Sequence, residues 1–342
     1  LIRATSDETF ESIEYTHRPL TEQFERLGVR QIELDLFPDS EGGRFAKPLG
    51  VGLAQAAGLA PVPDFDPEGR LLEPGLKILH FPDFDYLTTV HTFRQALVEI
   101  EAWSAAHPDH FPLTILLELK SSGGRPGFTA SEPFTEARLR EIHEEILAVV
   151  DRDGLIAPAD VRGDYASLRE AIAKRGWPSI ASARGRLLVC MDNGGARRDR
   201  YLAMDPNQEE ALLFVSVDDE SHPAAGFFKL NNAFQDFDTI RERALQGYIV
   251  RTRADTPTQE ARDNNTERRQ RALASGAQFI STDYPEPNPS FGPYWVAFDG
   301  GEVVRVNPVS GPQAMEGVDL ERDVLVVDRQ TPQGLENLEA RA

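Results

Sequence analysis

Gln31-Ile32-Glu33-Leu34-Asp35-Leu36 reads as a strand, and its polar positions decide how the rest of the chain is read. Residues two apart in a strand share a face, so Glu33 and Asp35 point the same way. Thr114-Ile115-Leu116-Leu117-Glu118-Leu119-Lys120 repeats the device, with Glu118 and Lys120 on one face. Between these two runs lies Leu76-Lys77-Ile78-Leu79-His80. Three carboxylates, a lysine and a histidine then converge at the ends of neighbouring strands. An oxygen-ligand cation site beside an acid/base histidine is built in this way.

Working outward, the chain repeats an apolar run, a turn and an amphipathic helix. Strands are expected at 30–36, 76–80, 113–119, 186–191, 212–217, 248–252 and 277–281. Helices are expected near 90–106, 133–150, 166–175, 236–246 and 258–275, with a further helical region over 6–28 broken at His17-Arg18-Pro19. This alternation implies parallel βαβ units. The strands are mostly apolar, as expected when both faces are covered. Nearly every strand ends in polar residues, which favours a TIM-type β/α barrel over an open sheet that binds only at its switch point. Seven strands are counted where a barrel needs eight, so the first is expected upstream of Leu1. Residues 38–75 and 121–132 read as loops, the former lying over the active face. Residues 1–290 are assigned to the barrel. Residues 291–342 are assigned to a hairpin over 294–307, turning at Asp299-Gly300-Gly301, and an acidic tail.

The bulk composition excludes several classes. A chain of 342 residues with formal net charge −20 lacks the basic footprint of a nucleic-acid binder and is not drawn electrostatically to anionic membranes. The single cysteine, Cys190, rules out an internal disulfide framework and a cysteine zinc cluster, and is expected to be a small buried hydrophobe. Without clustered His and Cys, the acidic group suits a hard cation, Ca2+ or else Mg2+. No run reaches transmembrane length. The chain opens at Leu1 without an initiator Met, so a processed or trimmed product is expected.

The ordered series of motifs resembles the bacterial calcium-dependent phosphatidylinositol-specific phospholipases C. The series includes Gly28-Val29-Arg30-Gln31-Ile32-Glu33-Leu34-Asp35, Leu79-His80, Ile115-Leu116-Leu117-Glu118-Leu119-Lys120, Lys229-Leu230-Asn231, Val250-Arg251-Thr252-Arg253-Ala254-Asp255 and Ile280-Ser281-Thr282-Asp283-Tyr284-Pro285. No single motif is specific; the order is. The resemblance implies a β/α barrel that cleaves a phosphodiester beside an inositol hydroxyl through a cyclic inositol phosphate. It implies that Glu33, Asp35 and Glu118 match calcium ligands and that His80 matches the second of two catalytic histidines. The family's first histidine sits in a Ser-His-Asn motif on the first strand, which this chain lacks. Truncation accounts for this better than a dead relative, because the whole strand is missing. A secreted or periplasmic monomer is expected, acting on a phospholipid or soluble inositol phosphodiester with transient membrane contact.

Each assignment has a plainer alternative. Glu33 and Asp35 could be strand-end carboxylates paired with Lys or Arg, and Glu118 could answer Lys120 or an arginine. Lys120, Lys229, Arg251 and Arg253 could serve only as ion-pair partners, although a phosphodiester site needs fixed cations. Glu118, His80 and Lys120 are the candidate catalytic groups. Lys229, Arg251, Arg253, Asp192 and Asp283 are the candidates for substrate binding. His91, His107, His110, His143 and His222 are expected at the surface, and the helix around Glu141–Glu145 is expected to be a solvated face. Two rival functions remain. A glycerophosphodiester phosphodiesterase typically follows Glu-x-Asp with a His-Asp pair, whereas His80 precedes Phe81-Pro82-Asp83. A non-catalytic barrel binding a sugar-phosphate or lipid head group is the other.

Overall fold

Strands buried on both faces dominate the centre of the molecule. The computed structural model describes residues 11–59, 64–121 and 126–323. Nine strands are described, β1 to β9: Gln31–Asp39, Gly75–Ile78, Leu113–Leu119, Leu155–Ile156, Leu187–Met191, Leu213–Val215, Phe227–Lys229, Ile249–Arg253 and Phe279–Ser281. Six form a mixed sheet in the order β2-β1-β3-β5-β4, with β6 also on β5; β7-β8-β9 form a parallel sheet of three. All five residues of β5 are buried, as are six of the seven in β3. Each fully buried Leu or Ile there contributes roughly 1.5–3 kcal/mol of apolar burial.

The described strands therefore give an α/β fold in two sheets, and their ladders do not close into one ring. A single parallel bridge, Ser216 to Phe227, joins β6 to β7. On the far side, Ser281 Oγ of β9 donates to Gln31 Oε1 of β1 at 2.9 Å with no strand pairing between them. The expected strand 76–80 is also corrected. It pairs antiparallel with β1, matching Leu36 to Ile78 and Asp39 to Gly75. A parallel partner needs a crossover back across the sheet. Residues 40–59 and 64–74 instead fold at the strand end, with helix Leu49–Ala56 among them, and Gly75 enters the sheet in the reverse sense.

Helices cover the sheet through apolar stripes. In Phe93–Ala106, Phe93, Ala96, Leu97, Ile100 and Trp103 are buried, and Thr92 caps the start by accepting from Gln95 N. The last expected helix is two, Gln259–Arg262 and Glu267–Ala274, separated by Asn264 at φ 48°. The break at His17-Arg18-Pro19 precedes helix Leu20–Arg26. Strands β4 and β7 and helices 49–56, 158–162, 180–183 and 195–204 were not expected; most are too short for periodicity to register. The expected hairpin does not form. Gly301 N bonds Phe298 O in a turn, but Arg305 bridges Asp319 and Leu320 N bonds Val304 O. Parts of four expectations, at residues 6–10, 60–63, 122–125 and 324–342, lie outside the described residues.

Two surface assignments are also corrected. His91 and His110 are buried: His91 Nε2 bonds Phe65 O, and His110 Nε2 bonds Ser104 Oγ. His143 is half-buried against the Tyr201 hydroxyl. Glu145 also turns inward. Its Oε1 accepts from Leu76 N at 2.9 Å, Oε2 is buried without a hydrogen bond, and burial pushes its pKa up to about 7. Cys190 is fully buried, as expected.

Candidate active site

Parallel register brings the acids together. Asp35 lies opposite Glu118 in the β1–β3 ladder, so their side chains share a face, and Glu33 precedes them on the same side. Ligand oxygens of Glu33, Asp35 and Glu118 lie within 4.8 Å of one another. Like charges this close resist ionisation together. Asp35 is pushed up to about 7, chiefly by burial; Lys120 works against the shift, and Glu118 and Glu33 add to it. Surrounding protein also raises the Glu33 pKa, against the pull of Arg251, although solvent still reaches Glu33 along the open edge of β1. An all-oxygen, multiply anionic set of this size fits Ca2+.

The plainer pairings are present as well. Lys120 Nζ lies 3.2 Å from Asp35 Oδ2 and 3.1 Å from Glu118 Oε2. Burial disfavours its charge, but the two carboxylates prevail and raise its pKa. Arg251 is almost fully buried and uses all three nitrogens, bonding Glu33 Oε2 at 2.6 Å, Asn231 Oδ1 at 2.5 Å and Ser281 Oγ at 2.6 Å. A guanidinium held at three points is a rigid cation beside the acidic group.

His80 lies two residues beyond the end of β2. Leu79 N donates to Asp35 O at 3.3 Å, which seats the imidazole beside the acids. Its Nδ1 lies 2.8 Å from Asp85 Oδ2. Ionised Asp85 only accepts, so Nδ1 carries the hydrogen and Nε2 is left for other work. Residues 81–85 close on themselves, with Phe81 and Asp85 exchanging two backbone bonds, and this turn delivers the carboxylate.

The remaining candidates sit in two pairs. Arg253 Nη2 bonds Asp283 Oδ2 at 2.9 Å, and Lys229 Nζ bonds Asp192 Oδ2 at 2.5 Å. Glu33, Asp35, His80, Glu118, Arg251, Arg253 and Asp283 all line one cavity of about 930 Å³ between β1 and β9. Lys120, Lys229 and Asp192 do not line it. The sequence reading missed Asp85, Asn231, Ser281, Tyr15 and Asp255. Tyr15 lies over His80, ring centres 6.1 Å apart, and burial with Asp283 nearby raises its hydroxyl pKa. Asp255 is buried, accepts from Asp283 N and the Tyr294 hydroxyl, and is raised to about 6, first by burial and then by Asp283. Asn231, Asp255 and Ser281 stand within the strand-end motifs quoted above, whereas Tyr15 and Asp85 lie outside them.

Comparison with known proteins bears on this geometry. The family model for "Phosphoinositide phospholipase C, Ca2+-dependent" matches residues 1–308. The structure of a Ca2+-dependent phosphatidylinositol-specific phospholipase C from Streptomyces antibioticus is similar at 20% identity and TM-score 0.48, covering 82% of this chain and 92% of its own. The apo calcium-dependent phosphoinositol-specific phospholipase C of a Gram-negative Pseudomonas sp. aligns at 16% identity and TM-score 0.46, covering 71% and 82%. No curated protein gives a significant match. With nine-tenths of its length matched by the family model, the chain belongs to the Ca2+-dependent phosphoinositide phospholipase C family.

Proposed function

We propose that this protein cleaves phosphatidylinositol-type phosphodiesters with Ca2+, through a cyclic inositol phosphate. The observation that carries the reading is the Glu33, Asp35 and Glu118 cluster beside the His80–Asp85 pair. Glu33, Asp35 and Glu118 would hold the ion, and Mg2+ is a poorer match because it demands stricter geometry. Bound there, Ca2+ supplies Lewis acidity towards the inositol 2-hydroxyl and charge neutralisation at the phosphate.

The chain's own groups supply the rest. Glu118 takes the 2-hydroxyl proton, and that oxygen attacks phosphorus. The P–O bond to the glycerol breaks as imidazolium His80 gives its Nε2 proton to the leaving oxygen. Asp85 holds Nδ1–H and so aims Nε2. Arg251 and Arg253 stabilise phosphate charge as fixed cations. Lys120 serves catalysis as a mobile cation that leaves Asp35 and Glu118 when a stronger one arrives. Asp283 meets an inositol hydroxyl in the cavity, and Lys229 and Asp192, paired with each other outside it, bind a part of the head group that extends beyond the cavity.

The same reading extends to the fold and to the protein's setting. A TIM-type barrel is supported by the Ser216–Phe227 bridge and by the Ser281–Gln31 contact across the β9–β1 gap. Residues 1–290 are the catalytic unit, and the described part of the segment that follows, 291–323, packs on it; Val303 and Val304 line the cavity and Glu321 pairs with Arg30. We place the protein outside the cytoplasm as a monomer; among the described residues no helix is long and apolar enough to cross a membrane.

A second reading, head-group binding without turnover, is supported by Lys120, which already neutralises two of the three acids. The test is hydrolysis of phosphatidylinositol and of glycerophosphodiesters by the full chain, with and without a calcium chelator. Chelator-sensitive release of cyclic inositol phosphate is expected. Head-group binding without release supports the second reading, and preferential cleavage of glycerophosphodiesters makes the chain a glycerophosphodiester phosphodiesterase.

A further inference from the structure

Asp255 is fully buried two residues beyond the end of β8, and it does not line the cavity. A carboxylate shut away from water needs donors. Asp283 N donates to its Oδ1 at 2.9 Å, and the Thr282 hydroxyl donates to its Oδ2. The Tyr294 hydroxyl comes from the segment that follows the barrel, and lies 3.2 Å from Asp255 Oδ2 and 3.1 Å from Ala254 O.

These bonds wind the turn after β9 around one carboxylate. Thr282 Oγ1 also accepts from Tyr284 N at 2.8 Å, so two successive backbone N–H groups are tied to Asp255, one directly and one through a hydroxyl. Asp283 stands between them, and its Oδ2 accepts from Arg253 Nη2 at 2.9 Å. Arg253 Nε is buried without a hydrogen bond, and among the described residues this guanidinium makes one hydrogen bond where Arg251 makes three. The direction of Arg253 therefore follows Asp283, and both side chains line the cavity. Tyr294 is itself buried and meets Tyr284 edge to face at 5.9 Å, while Val296 N donates to Tyr284 O at 2.9 Å.

We infer that Asp255 and Tyr294 are positioning residues, which fix the turn that presents Asp283 to the head group and, through Asp283, aim Arg253. Neither touches the head group. Tyr294 thereby gives the segment after residue 290 a part in head-group affinity. The inference rests on the proposed function, in which Asp283 meets an inositol hydroxyl. An ionised carboxylate only accepts, so the donors around Asp255 have one arrangement. An amide in its place turns a donor towards Asp283 N–H or the Thr282 hydroxyl, and the turn loses that arrangement.

The test is a set of variants assayed by hydrolysis of a soluble inositol phosphodiester. Tyr294→Phe keeps the buried ring and removes only the hydroxyl. It should raise KM about three- to tenfold, and Asp255→Asn roughly ten- to a hundredfold, the scales of a neutral and a charged hydrogen bond. The larger part of each loss should fall in KM rather than kcat. Asp255→Asn added to Asp283→Asn should raise KM little further, because both act through one carboxylate. Unchanged KM in both single variants overturns the inference, as do losses that multiply in the double variant. A lowered Tm with normal KM in the folded fraction makes the pair merely structural and also overturns it. If Asp255→Asn does not fold, Tyr294→Phe decides, combined in the same way with Asp283→Asn. If the wild type binds the phosphodiester without cleaving it, the hydrolase reading fails, and Kd from calorimetry replaces KM in the same comparison. A wild type that neither binds nor cleaves overturns both.

Discussion

Calcium binding at the acidic cluster should release close to one proton at pH 6 and almost none at pH 8. The cause is Asp35, whose carboxyl is raised from 3.8 to about 7. At about 1.4 kcal/mol per unit, keeping Asp35 ionised in the metal-free fold costs on the order of 4 kcal/mol. The sign follows from linkage. A carboxylate raised in the folded state contributes stability below its unfolded value, and that contribution is lost as pH rises through about 7. A bound cation requires the ionised form, so binding drives the proton off wherever Asp35 still holds it. Apparent affinity should therefore weaken by about tenfold per unit below pH 7 and level off above it. Titration calorimetry in buffers of different ionisation enthalpy counts the protons directly. Asp35→Asn should abolish most of the release and weaken binding. Release that is absent at pH 6, or that is undiminished in Asp35→Asn, would refute the placement of the ion at Asp35.

Other perturbations probe neighbouring parts of the argument. Calcium should raise the Tm, and Glu118→Gln should remove most of that rise by deleting one ligand charge; an unchanged rise in thermal melts places the ion elsewhere. His80→Ala should lower phosphatidylinositol turnover by about 10²–10⁴-fold with Tm and calcium response nearly intact, the usual scale of lost acid–base help. Asp85→Asn should lower turnover less, and the loss should shrink for a substrate with an acidic leaving group that needs no proton; a uniform loss across leaving groups makes Asp85 merely structural. Glu145→Gln should keep the Leu76 bond and raise stability at pH 8 by up to about 3 kcal/mol while changing little at pH 5, because the raised Glu145 pKa costs stability only as pH climbs towards about 7. Denaturant melts at the two pH values decide it.

Much of the site was legible before the fold because strand geometry is local. Period-two alternation set Glu33 beside Asp35 and Glu118 beside Lys120. Chain order through the motifs carried the family, and composition removed nucleic acid and zinc. Pairings between distant residues were not legible in this way. Arg251 meets Glu33 across 218 positions, and Asp85 reaches His80 only because a five-residue turn closes on itself. The same limit hid the antiparallel return of β2, where a folded excursion replaced the crossover that βαβ rhythm implied. It also hid the inward turn of Glu145, which a charged helix face gives no reason to expect. The sequence by itself determined which residues stand on each strand and which side they take, since those follow from backbone geometry within a few residues. Only the tertiary structure decided which cation answers which acid and how the strands are joined, because such contacts depend on register and packing between segments that no local pattern encodes.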